Sequence, residues 1–199
     1  MNPAAIEKAK GRLEKARTIL AELATGKSPS YARFQAQWTD FILALNGVYS
    51  VLEQGSKVSP QSRQWFGAKK RERREDPLLQ YLHQARNADE HGIAPVSRFE
   101  RPQFQIVPGT GNPDAIKGVA IGDDKIEIIA DVEAAKGVQF LVTTPAVFLI
   151  PVTDDRFGQT FNPPTTHLGQ QLPNSYPLTV ATKGFEYVEN LVQEAGTLA

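Results

Sequence analysis

The sequence predicts an α+β fold: an N-terminal antiparallel helical bundle, then an antiparallel β meander, then a C-terminal helix. Three observations predict it. Between residues 6 and 85, apolar residues recur at steps of three and four. Three of these stretches open on a serine-proline or aspartate-proline pair, at 28–29, 59–60 and 76–77. Beyond Gly92, prolines multiply and apolar residues gather in short β-branched runs.

The first helix carries Ile6, Ala9, Leu13, Ala16, Leu20 and Leu23 on one face, and Gly26 breaks it. Ser28-Pro29 reads as the N-cap and first turn of a second helix. Its stripe of Phe34, Trp38, Phe41, Ile42, Leu45, Val48, Tyr49 and Leu52 is wide and aromatic, as a central core helix requires, and Gly55 ends it. A third helix runs from Ser59 to about Arg74, anchored by Trp65 and Phe66. A fourth starts at Asp76, turns Leu78, Leu79, Leu82 and Ala85 inward, and ends at His91 with Gly92 as its C′ residue. Four helices with short connections read as an up-down bundle over 1–94.

Pro95, Pro102, Pro108 and Pro113 exclude a long helix in the next segment. Strands are predicted at Gly118–Ile121, Lys125–Val132, Val138–Thr143 and Ala146–Val152, with turns at Asp123-Asp124 and Ala135-Lys136-Gly137. A long Gly/Pro-rich loop spans Thr153–Pro177. A last helix, Leu178–Ala195, buries Val180, Phe185, Val188, Leu191 and Val192. The second domain is therefore a β-rich segment over 95–199.

The chain of 199 residues has no cysteine, which excludes disulfides, thiolate catalysis and zinc-thiolate sites. A formal net charge of +0 means that any nucleic-acid site is a local patch. No signal-like or membrane-spanning apolar run stands out, so the composition predicts a soluble cytoplasmic protein with no membrane partner. Gly26-Lys27-Ser28 imitates the end of a phosphate-binding loop, but Ala21 stands where that loop needs glycine. The three histidines, His83, His91 and His167, form no ligand pattern with acidic residues, so neither metal nor cofactor is expected.

The motif that carries chemistry is Arg86-Asn87-Ala88-Asp89-Glu90-His91. Histidine exchanges protons near neutral pH, and arginine offers paired donors to a phosphate. On an ideal helix Arg86 and His91 lie about 140° apart, whereas Asn87 and His91 share a face. Glu90 stands at the spacing that pairs with Arg86. Beside the motif, Lys69, Lys70, Arg73 and Arg74 form a basic run that suits an RNA backbone, although Glu72 and Glu75 interrupt it.

Arg86-Asn87-x-x-x-His91, late in a helical bundle, resembles the Arg-x4-6-His signature of HEPN domains. The resemblance covers roughly residues 1–94. It implies a metal-independent endoribonuclease or RNA-binding protein of the toxin–antitoxin or defence type. The catalytic set would be Arg86, His91 and Asn87, brought together with those of a second copy in a homodimer. Thr165-Thr166-His167-Leu168-Gly169 and the closing helix resemble segments of uncharacterised bacterial proteins, and no function comes with that likeness. Two alternatives stay open. One is a non-catalytic binding or oligomerisation protein with an unknown cognate partner. The other is a small-molecule enzyme with the 153–177 loop as a lid and His167 in a pocket beneath it.

Overall fold

The structure is a computed structural model. It describes residues 1–26, 30–91, 95–107, 109–122, 125–154 and 157–199, without the side chains of 89–91. The expected Ser28-Pro29 cap, the Gly92 C′ position and the Asp123-Asp124 turn lie outside the described residues.

The described residues include five α-helices: α1 Pro3–Ala24, α2 Tyr31–Gly55, α3 Pro60–Glu75, α4 Pro77–His91 and α5 Pro177–Gly196. Their starts follow from side chains that satisfy amide donors left over in the first turn. Asn2 accepts from Ala4 N–H at 2.9 Å, Ser59 from Ser62 N–H at 3.2 Å and Asp76 from Leu79 N–H at 2.9 Å. Ser30 caps α2 through Arg33 N–H at 3.2 Å. Each such cap is worth about 1 kcal/mol.

The first compact unit comprises residues 1–98 and 149–199. The sequence placed a boundary at 94 and assigned everything after it to one segment. Instead, 149–199 belongs with the bundle, because α5 packs along α1 and α2. Trp38, Phe41, Leu52, Leu78, Tyr81, Val180 and Leu191 are fully buried in this shared core. Gly184 lets α5 come close to α4: a Cβ there would stand 2.5 Å from Leu82 Cδ1. Tyr81, which the sequence reading left out, donates its hydroxyl to the Ile150 carbonyl at 2.8 Å and ties the returning chain to α4.

Within this unit the 153–177 segment is built from two small antiparallel pairs. β7 (Val152–Thr153) pairs with β8 (Thr160–Phe161), and β9 (Thr166–His167) with β10 (Gln170–Gln171). The turn between β9 and β10 places Leu168 at φ 47° and Gly169 at φ 76°. Two successive positive φ values are what a two-residue hairpin turn needs, and at Leu168 they cost strain. The Asp76 carboxylate holds that strained position by accepting from Leu168 N–H at 2.6 Å.

The second unit is residues 99–148. Its strands are antiparallel, as expected, and their pairing is nested. β3 (Ile116–Ile121) and β4 (Ile126–Ala130) form the inner hairpin, as neighbours in a meander would. β2 (Phe104–Val107) and β5 (Gln139–Val142) pair around them, with Phe104 opposite Val142 and Val107 opposite Gln139. β1 (Ser97–Glu100) and β6 (Ala146–Leu149) are the outermost pair. The chain thus runs out through one strand of each pair and back through the other, a ribbon made of three separate two-stranded pairs. The predicted turn at 135–137 is present, closed by Val138 N–H to the Ala135 carbonyl at 3.0 Å.

Candidate functional site

α4 carries chemistry at both ends. Toward its C-terminal end, Arg86 and Asn87 are half-buried neighbours. An Arg86 guanidinium N–H donates to Asn87 Oδ1 at 3.1 Å, and Asn87 Nδ2 donates to Gln84 Oε1 at 3.2 Å. The arginine plane and the amide are therefore held as a pair. His91 is the last residue of α4, as predicted. Its side chain, and the Arg86–Glu90 pairing, lie outside the described residues.

The four cations expected to contact RNA have different surroundings. Lys69 Nζ lies 3.3 Å from Glu72 and 3.1 Å from Glu194, and Lys70 Nζ lies 2.7 Å from Glu53. The sequence suggested local carboxylates as competitors, but Glu53 comes from α2 and Glu194 from α5. Both lysines thus spend their charge within the bundle. Arg74 is exposed, and its backbone carbonyl accepts from the Gln80 side chain. Arg73 lays its guanidinium 4.7 Å over the Tyr49 ring. No carboxylate pairs with it among the described residues.

Arg73 lines a cavity of about 30 Å³, together with Asn46, Tyr49 and His83 over an apolar floor that includes Ile42 and Val188. His83 is the residue the sequence passed over, because it was weighed only as a metal ligand. Its Nδ1 is buried and makes no hydrogen bond. Burial pushes the imidazole down to about 4, and the charges of Arg73 and Arg86 push the same way, against a weaker pull from Asp154. His83 is thus neutral at physiological pH. The available signal was spacing: His83 stands four residues before Asn87 and three before Arg86, one helical turn away.

No protein-family model, curated protein or solved structure matches the chain.

At the N-terminal end of α4, Asp76 is buried and shares a 3.0 Å hydrogen bond with His167 Nδ1. Burial alone would raise the Asp76 pKa. Hydrogen bonds from His167, Leu168 N–H and Leu79 N–H outweigh that and hold it below the usual carboxylate value. The His167 ring stands edge-on to Tyr187 at 5.7 Å, and the Tyr187 hydroxyl donates to Glu72 at 2.6 Å. His167 is thereby turned onto Asp76 as a latch between the β9–β10 hairpin and α4. Among the described residues, no group of three or more His, Asp or Glu side chains is arranged to hold a metal.

Proposed function

We propose that the chain is a HEPN-like RNA-binding protein that cleaves RNA without a metal. It would be of the toxin–antitoxin or defence type and act as a cytoplasmic homodimer. The observation that carries this reading is the Arg86–Asn87 hydrogen-bonded pair, late in the fourth helix of a bundle, one turn beyond a half-buried histidine whose Nδ1 is buried.

The chemistry assigned to these groups is transfer within the RNA strand. The 2′-hydroxyl loses its proton to a base and attacks the adjacent phosphorus. The P–O5′ bond breaks, and the leaving oxygen takes a proton from an acid. The products are a 2′,3′-cyclic phosphate and a 5′-hydroxyl. His91 supplies the acid/base function, and its counterpart in the second copy supplies the complementary one. Arg86 neutralises charge on the phosphate oxygens as it builds, and Asn87 orients Arg86.

The test is incubation of purified protein with mixed RNA in EDTA, beside Arg86→Ala and His91→Ala variants whose helical circular dichroism is intact. EDTA-resistant cleavage lost in both variants is the expected result. A second reading, a non-catalytic binding or oligomerisation protein, is favoured by one observation: Lys69 and Lys70, the cations expected to hold an RNA backbone, are already ion-paired within the bundle. RNA neither retained nor cut would select it, and RNA retained but never cut would keep the RNA-binding part of the first reading and remove catalysis.

A further inference from the structure

We propose that the cavity between Arg73 and His83 is a binding site for a phosphate group, either from the RNA backbone or from a free nucleotide. The inference rests on the RNA reading only for which phosphate arrives there.

Three features of the cavity converge on this chemistry. The first is charge. Lys69 and Lys70 on the same helix are ion-paired, whereas Arg73 meets no carboxylate among the described residues. Its guanidinium lies 4.7 Å over the Tyr49 ring, which restrains it beside the cavity. A guanidinium lining an apolar-floored cavity holds an oxyanion more strongly than one in water does.

The second feature is a missing partner. His83 Nδ1 is buried and bonds to nothing, although a buried polar atom is ordinarily satisfied. A phosphate oxygen facing Arg73 supplies the acceptor for an Nδ1–H of the neutral ring. Asn46 lines the same space with an amide. The third feature is size. A space of about 30 Å³ holds two or three water-sized groups, since one water needs ~10–15 Å³. Phosphate oxygens fit that volume and the ring of a nucleobase does not.

The charged groups around His83 make occupancy readable. Arg73 from α3 and Arg86 from α4 oppose its protonation, and Asp154, just after β7, favours it. Tyr49 from α2 and Val188 from α5 complete the walls. An anion between the arginine and the ring cancels part of the opposing field, so His83 takes up its proton at higher pH when the site is filled.

The experiment follows the His83 imidazole protons by NMR against pH, assigned with His83→Gln. It is run without ligand, with inorganic phosphate, with uridine 3′-phosphate and with a single-stranded RNA. The expected result is a midpoint that rises by about one pH unit or more on saturation. Arg73→Gln should abolish the rise and weaken binding about tenfold or more, while Arg73→Lys keeps part of both. If all three ligands move the midpoint, the site takes phosphate from any source. If only RNA does, it reads the backbone. If RNA binds and the His83 midpoint does not move, the pocket inference falls while the RNA reading stands. If phosphate and mononucleotide move the midpoint but RNA does not bind, the pocket stands and the RNA reading falls.

Discussion

The helical unit and the ribbon differ in what holds them. The helical unit buries aromatic and aliphatic side chains from all five helices in one core. In the ribbon, only Pro102 and Ala115 are buried among the described residues of 99–148. Ile129 is 62% exposed, Val132 80% and Leu141 56%. Phe140, Leu141 and Val142 are successive residues and all exposed, so both faces of the ribbon carry apolar surface. A two-stranded ribbon on its own is marginal in water. The difference teaches that regular backbone pairing and stability are separate achievements: β2 and β5 stay in register over four residue pairs without burying what they carry.

The largest effect expected from this contrast is in the core. Phe41→Ala should cost about 3–5 kcal/mol in urea unfolding, the range for a buried aromatic, while Leu141→Ala should stay within about 0.5 kcal/mol. Equal costs would break the contrast. Next is hydrogen exchange. Amides of β2 and β5 should exchange on the order of 100-fold faster than those of α2 and α5, because opening the ribbon exposes almost no new apolar surface. Protection as strong as that of the bundle would mean that the ribbon has cover that its own residues do not provide.

Smaller effects sharpen the picture of the helical unit. Asp76→Ala should lose about 2–3 kcal/mol, because the same carboxylate caps α4 and holds the strained Leu168 turn. Its pKa is lowered on folding, so that contribution is complete above the unfolded value near 3.8 and fades as pH falls through the lower folded value. Asp76→Asn should remove this acid sensitivity and retain part of the cap. His83 acts at milder pH. Its folded pKa of about 4 lies below the ordinary 6.5, so the unfolded chain takes a proton in that window that the folded chain refuses. Stability should therefore fall from pH 6.5 to 4 by on the order of 2 kcal/mol more in the wild type than in His83→Gln. Parallel pH profiles for the two proteins would show that His83 is not held neutral by its surroundings.

These contrasts also explain what was legible in the sequence. Helices announce themselves locally: the spacing of Ile6, Ala9, Leu13 and Ala16 gave the buried face of α1, and Ser59 and Asp76 gave the starts of α3 and α4. Of the strands, β3 to β6 were legible as segments, whereas β1 and β2 among the prolines and the short pairs within 153–177 were not, and neither were the partners. β2 and β5 lie more than thirty residues apart, and their side chains do not alternate in a way that marks one buried face. At the site, Arg86 and Asn87 were legible because they are adjacent. The fates of the lysines were not, because Glu53 and Glu194 reach α3 from other helices. The meeting of Arg73 with His83 was hidden for a related reason. It depends on how α3 and α4 pack on either side of the corner at Asp76, and ten residues of sequence do not display that.

The most direct test of the central claim is binding of a labelled single-stranded RNA, followed by fluorescence anisotropy at fixed salt, for the wild type and Arg86→Ala. The account predicts saturable binding that weakens about tenfold or more in the variant, with helical circular dichroism unchanged. No binding, or equal affinity of the two proteins, would contradict it.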